Sequence, residues 1–238
     1  DKAYHKYIDA EISDIHNITV TLCSADGKVL VEYKTYKRGK KQPIEVRKPV
    51  KRPCEYKTVE ELYINGYHLE QYKQHNYKPE DYYLEGLKRD GGDIRCNTSM
   101  ARLSLKNGKF NDCVKYCDKA IERLTSRNMH PTDTEALYLK GVALEYLGEY
   151  DKAYDVLYMA AWNYAHRSAA MYELACIDCR NGDYDSALQK LDESLGLNKG
   201  HTKAKNLKSA VMRKHGSPLA QSSALEGTND DKLDVLAL

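Results

Sequence analysis

A few sets of residues have the types and spacing that chemistry would need. Cys176 and Cys179 are separated by two residues, half of a zinc-ligand pattern, and Cys113 and Cys117 form the other close pair. A structural zinc site needs four ligands and usually a second paired motif, so these cysteines assign no metal. Glu60/Glu61 and Glu80/Asp81 are adjacent carboxylates of the kind a hydrolase uses as acid and base. Both pairs fall at expected helix starts, where negative charge is favoured by the helix dipole. The eight histidines, His68, His75 and His166 among them, show no relay spacing. Gly91-Gly92 lacks the Lys-Ser/Thr that completes a phosphate loop. The chain therefore reads as a non-enzyme with no catalytic residues, no metal and no cofactor.

What must hold any binding residues is a set of repeats. The phrases NGKFNDC (107–113), GEYDKA (148–153) and GDYDSA (182–187) each place an aromatic two residues after a Gly and a small residue three further on. Gly108, Gly148, Gly182 and Gly216 are spaced by 40, 34 and 34 residues. Small residues recur seven positions before each glycine (Ala101, Gly141, Ala175, Ser209) and twelve after the first three (Ala120, Ala160, Ser194). Helices approach to about 8–10 Å only where contact side chains are small, and glycine lets the chain turn sharply between them. This pattern resembles the tetratricopeptide repeat, a unit of two antiparallel helices. The register predicts helices at 61–73 and 79–89, 94–106 and 111–127, 134–146 and 151–166, 168–180 and 185–196, with a further first helix at 202–215. The wider first interval is explained by an overrun into ERLTSRNMHPTD, which Pro131 ends and which Thr132 or Asp133 can follow as a cap.

The N-terminal 57 residues follow a different period. Ile18, Val20 and Leu22 alternate with polar residues, as do Val29, Val31 and Tyr33, and Asp26-Gly27 between them is a strong hairpin turn. An isolated hairpin is marginal in water, so it must pack on the first helices, pair with another copy or belong to a larger β domain. From Lys34 to Lys57 the chain carries ten Lys/Arg against two acids, with Pro43, Pro49 and Pro53 keeping it extended. Taking those ten and two from the chain's 37 basic and 35 acidic residues leaves 27 basic and 33 acidic elsewhere. The expectation is a mainly α fold: a tetratricopeptide-type α-α superhelical solenoid with a short N-terminal β-hairpin and an extended basic linker. Its parts are a hairpin segment at 1–36, a linker at 37–57, a solenoid of four repeats and a partial fifth at 58–216, and a cap or tail at 217–238.

Residues 58–215 bear a narrower likeness. EELYINGYHLEQY, PEDYYLEGLKRDGGDIRCN and AHRSAAMYELACIDCRNGDYDSAL resemble the C-terminal repeat region of large bacterial proteins that begin with a galactose-mutarotase-like domain of unknown function. The resemblance implies a carbohydrate-linked parent protein and assigns no catalytic residue. Under it, the hairpin would be the tail of that β domain.

Composition sets the remaining expectations. With 42% hydrophobic and 30% charged residues the chain falls among globular proteins. No apolar run nears the roughly 20 residues of a membrane span, and Asp1 opens no leader sequence. Seven cysteines in no disulfide framework predict a reduced, cytoplasmic protein. Twenty tyrosines against one Phe and one Trp favour half-wet surfaces and interfaces.

In tetratricopeptide solenoids the first helix of each pair lines the inner groove. The corresponding positions here begin with Tyr72, Lys73, Arg95, Arg102 and Lys106. The third repeat adds Glu135, Tyr138, Glu145 and Tyr146, and the fourth Tyr172 and Arg180. The last adds Lys203, Asn206, Arg213 and Lys214. Basic and Tyr-rich, this groove predicts an acidic protein or peptide partner, or a domain of the parent protein. It does not reproduce the Lys/Asn/Arg set with which some co-chaperone repeats clamp a C-terminal carboxylate. Two alternatives remain: an accessory role in a carbohydrate-active enzyme, involving His68, Glu70 or Tyr72, and nucleic-acid contact through the linker at 37–52.

Overall fold

The computed structural model describes residues 5–37, 39, 49–72 and 76–230, with side chains to residue 225. The chain divides into two compact units, residues 1–50 and 51–238.

In the first unit β1 (Thr19–Cys23) pairs antiparallel with β2 (Val29–Lys34). The turn closes through Ser24 N–H donating to Lys28 O (2.8 Å) and Gly27 N–H to Ser24 O (3.0 Å), and Gly27 takes φ 79°. Register sets Val20 opposite Tyr33 and Leu22 opposite Val31, so these four share one face and Thr19, Thr21, Glu32 and Lys34 the other. All four apolar side chains are more than half exposed.

In the second unit the described residues form ten helices in five antiparallel pairs: α1 (Val59–Tyr72) with α2 (Pro79–Arg89), α3 (Ile94–Lys106) with α4 (Phe110–Thr125), α5 (Glu135–Tyr146) with α6 (Tyr150–Ala160), α7 (Tyr164–Asn181) with α8 (Tyr184–Leu197), and α9 (Thr202–Lys214) with α10 (Ala220–Asp230). The expected tetratricopeptide-type solenoid is thus the observed one. Local sequence explains where the helices start. Thr58 and Glu61 exchange hydrogen bonds of 3.1 Å, a capping box. Pro79 opens α2, and Asp93 and Asp183 accept from Cys96 N–H (2.8 Å) and Ser186 N–H (3.1 Å). The turns between the helices of the later pairs use the four repeat glycines, with φ from 68° to 82°.

The core lies where the helices of a pair cross and where one pair meets the next. Ala101, Ala120, Ala160, Ala175 and Ser194 are wholly buried, and Gly141 and Ser209 buried. Leu137, Leu144, Leu157, Leu174 and Ile177 fill the space between α5, α6 and α7. Cys113 and Cys117 sit in the α3–α4–α5 core beside Ala101 and Ala143, as small apolar residues do. Two hydroxyls repeat one contact in adjacent pairs. Thr134 Oγ1 donates to Ala160 O (3.1 Å) and Ser168 Oγ to Ser194 O (3.0 Å), each tying the start of a first helix to the end of its partner.

Three local details differ from the sequence expectation. Helix α6 stops at Ala160 rather than 166, and α7 starts at Tyr164 rather than 168. The cause is Asn163, whose side chain accepts from Ala165 N–H (2.8 Å) as an N-cap and donates to Thr132 O. That cap hands the first turn of residues to α7. Helix α4 ends at Thr125, and Asp133 accepts from Glu135 N–H (3.0 Å) ahead of α5. Finally, residues 51–57 lie against α2: Tyr82 Oη donates to Lys51 O (2.8 Å) and Arg89 to Tyr56 O (2.8 Å). Residues 38 and 40–48 of the basic stretch are outside the described residues.

Candidate partner-binding face

The odd-numbered helices α1, α3, α5 and α7 run side by side, each touching the next. Apart from Lys73, outside the described residues, and the four positions on α9, the expected groove residues lie on this row. Arg102 is central. Its guanidinium donates to Glu70 on α1 (3.1 Å) and Glu135 on α5 (2.7 Å), spanning three first helices. Lys106 Nζ also donates to Glu70 (3.1 Å), and Arg95 pairs with Glu60. Burial raises the cost of ionising Glu70, but the hydrogen bonds from Arg102 and Lys106 outweigh it and hold the carboxyl below its usual range.

These three cations are therefore paired, not free. The expected groove positions left out Glu60 and Glu70, which lie one repeat upstream of their partners. A signal for them exists in the sequence. Arg95–Glu60, Arg102–Glu70, Arg102–Glu135 and Lys106–Glu70 are 35, 32, 33 and 36 residues apart, about one repeat length. Opposite charges at that spacing serve a solenoid as the i, i+4 pair serves a helix.

Two further expected groove residues serve the seam between repeats. Tyr146, two residues before Gly148, stacks on Phe110, two after Gly108, with centroids 4.7 Å apart and planes at 3°. Arg180, two before Gly182, lies over the ring of Tyr150, two after Gly148, at 4.2 Å. The aromatics that follow Gly108 and Gly148 are thus platforms for the next repeat.

The middle of the row is acidic. Tyr138 Oη donates to Glu173 (3.4 Å), and Glu173 on α7 has Glu145 on α5 as a neighbouring carboxylate. Burial pushes the Glu173 carboxyl up to about 7, the neighbouring Glu145 adds to the rise, and Lys203 opposes it. Burial also raises Glu145, against the charge of Arg180. Each carboxylate disfavours ionisation of the other, as neighbouring like charges do. Around them the ring of Tyr138 stacks on His166 (5.8 Å), and Tyr172 tilts over His201 (5.0 Å). Glu173 was not among the expected site residues, although it follows Tyr172 directly.

At the ends of the row, exposed Tyr72 meets His68 at 4.5 Å. Lys73 is outside the described residues. Asn206 is half-buried on α9, and Arg213 is exposed in its last turn. Among the described residues no three His, Cys, Asp or Glu side chains converge as metal ligands would. No described helix is long and apolar enough to cross a membrane.

Repeated helix pairs, buried small residues at fixed offsets and a continuous row of first helices define a tetratricopeptide-type solenoid. Comparison with known proteins agrees on the fold. MamA is 20% identical with a TM-score of 0.59, covering 76% of this chain and 97% of its own. YrrB, described as a TPR protein with an unusual peptide-binding site, is 16% identical with a TM-score of 0.57, covering 74% and 88%. In sequence, the chain is similar to Hsp70-Hsp90 organizing protein 1 of Glycine max, 30% identical over 125 residues. That match takes in 50% of this chain and spans only 19% of the soybean protein. No protein-family model matches the sequence.

Proposed function

We propose that the chain is a non-catalytic scaffold whose row of first helices holds an extended, acidic protein segment. The observation that supports this reading is that cations flank tyrosines along successive first helices: Arg95, Arg102 and Lys106 on α3, Tyr138 and Tyr172 on α5 and α7, then Lys203 and Arg213 on α9. Pairing with internal carboxylates does not exclude such a partner. Exposed ion pairs contribute little net free energy, so a partner's carboxylate can replace Glu60 at Arg95 or join Lys106, whose side chain is 60% exposed. The likeness to a protein named for organising two chaperones, and to one with a named peptide-binding site, supports a protein or peptide partner. A cytoplasmic setting belongs to the same reading.

Selection from a displayed peptide library tests it. Asp/Glu-rich peptides should be enriched, and the double variant Lys106→Glu, Lys203→Glu should lose them while keeping its helical circular dichroism. Enrichment of basic or purely apolar peptides would overturn the acidic-partner reading.

A second reading rests on the hairpin. Val20, Leu22, Val31 and Tyr33 form an exposed apolar face that suits packing beneath further β structure. On that reading the solenoid serves a larger, carbohydrate-linked protein, as the resemblance implies. Glycan binding by the full-length protein that is unchanged on removal of residues 58–238 would separate the solenoid from that activity.

A further inference from the structure

The six extra residues between the second and third repeats, together with the short α6–α7 corner, build a surface that the inner row does not use. Met129, Pro131, Leu137, Trp162 and Tyr164 line a cavity of about 480 Å³. Trp162 also lines a second cavity of about 520 Å³, with Tyr158, Met171 and the Arg167–Glu193 ion pair. The indole, stacked on His130 at 4.6 Å, is thus the wall between two hollows. It is the chain's only tryptophan.

We propose that this face is where two copies of the chain associate, the Trp162 ridge of each copy seated in the Met129–Leu137–Tyr164 hollow of the other. Self-complementarity argues for a second copy. A twofold interface needs one face to carry both knob and hole, because residue i of one copy meets residue j of the other and the reverse. Here both lie side by side. The hollow is large enough for an indole, since small-molecule pockets begin at about 300 Å³.

Area argues the same way. Met129, Tyr158, Met159, Trp162 and Tyr164 are between 42% and 77% exposed. With aromatic side chains offering about 150–250 Å² each, they present roughly 500–700 Å² of largely apolar surface. A standard interface takes about 800 Å² from each partner, and the remaining cavity walls can contribute the difference. Trp, Tyr and Met are also the residues enriched in interface cores. A net charge of +2 sets up little repulsion between copies. This inference does not depend on what the inner row binds.

The full chain supplies its own probe. Sedimentation from low to high micromolar concentration should show a monomer–dimer equilibrium. Over the same range the Trp162 emission should shift to shorter wavelength and lose its quenching by iodide. Met129→Glu alters a side chain 77% exposed, keeps the tryptophan, and should weaken association about tenfold or more. Trp162→Ala should abolish the dimer with helicity intact. A monomer at every concentration would overturn the proposal. So would open-ended polymers, or a dimer that leaves Trp162 quenchable or survives both substitutions.

Discussion

Leu157 lies so close to Gly141 that a β-carbon built on that glycine would sit 2.5 Å from the leucine Cγ and 2.6 Å from Cδ2. This is where α5 crosses α6, and it explains why a glycine stands inside a helix despite its poor helical propensity. Gly141→Ala gains about 1 kcal/mol of propensity and meets an overpacking cost of about 1–3 kcal/mol. The net expectation is destabilisation by about 1 kcal/mol, read from urea unfolding. Adding Leu157→Ala should recover the strain component, so the double-mutant cycle should show a favourable coupling. Additive effects would remove the crossing as the cause.

Glu70 joins α1 to α3 through both Arg102 and Lys106, with its side chain 13% exposed. Glu70→Ala leaves Glu135 as the one carboxylate paired with Arg102 among the described residues and should cost about 1–2 kcal/mol, less than a fully buried pair would. The pH dependence has a fixed sign. The folded carboxyl titrates below its unfolded value, so its stabilisation is complete above the usual Glu range and is lost as pH falls through the lowered folded value. The stability difference between wild type and variant should therefore narrow in acid. A difference that is constant with pH would contradict the charge assignment.

Glu173 carries the opposite sign. Its folded carboxyl titrates near 7, above the ordinary value of 4.5, so the folded state binds the extra proton between those limits. Stability contributed at this site is present below about pH 4.5 and falls as pH rises towards 7. Glu173→Gln should leave acid stability unchanged and raise the melting temperature at pH 8 by a few degrees, as about 1 kcal/mol does in a chain of this size. Carbon-detected titration of the Glu145 and Glu173 side chains checks the same point directly. Two ordinary carboxylate titrations would dismiss the raised Glu173 value.

The stacked seam makes a further expectation. Tyr146→Ala removes the face-to-face contact with Phe110 and should cost about 0.5–1.5 kcal/mol beyond buried area. Arg180→Ala, over Tyr150, should cost about 0.5–1 kcal/mol. Hydrogen exchange should quicken chiefly in the two helices flanking the altered seam, because repeats couple to their nearest neighbours. Uniform acceleration over all five pairs would argue against seam-by-seam coupling.

The repeat glycines and the small residues at fixed offsets were legible because a helix crossing imposes steric demands on single positions. Ala101, Ala120, Ala160, Ala175 and Ser194 are all wholly buried. Helix ends were legible wherever a capping side chain stood next to the pattern. They were missed at 161–167, where Asn163 could have closed one helix or opened another, and its contact with Thr132 decided the matter.

The inner row was readable as a set of positions but not as an electrostatic surface. Counting charges on one helix at a time could not reveal that Arg102 lies between Glu70 and Glu135, since each carboxylate sits on a different repeat. Glu145 and Glu173 likewise become neighbours, each made harder to ionise, only when α5 and α7 are packed together. By itself, then, the sequence determined the repeat, its period and the residues that let helices touch, because those follow from local geometry and side-chain size. Only the tertiary structure decided which charges are neutralised, which tyrosines and arginines are spent on seams, and that the single tryptophan stands exposed between two hollows. Those outcomes depend on distances between side chains about a whole repeat apart in the chain, and stacking alone fixes them.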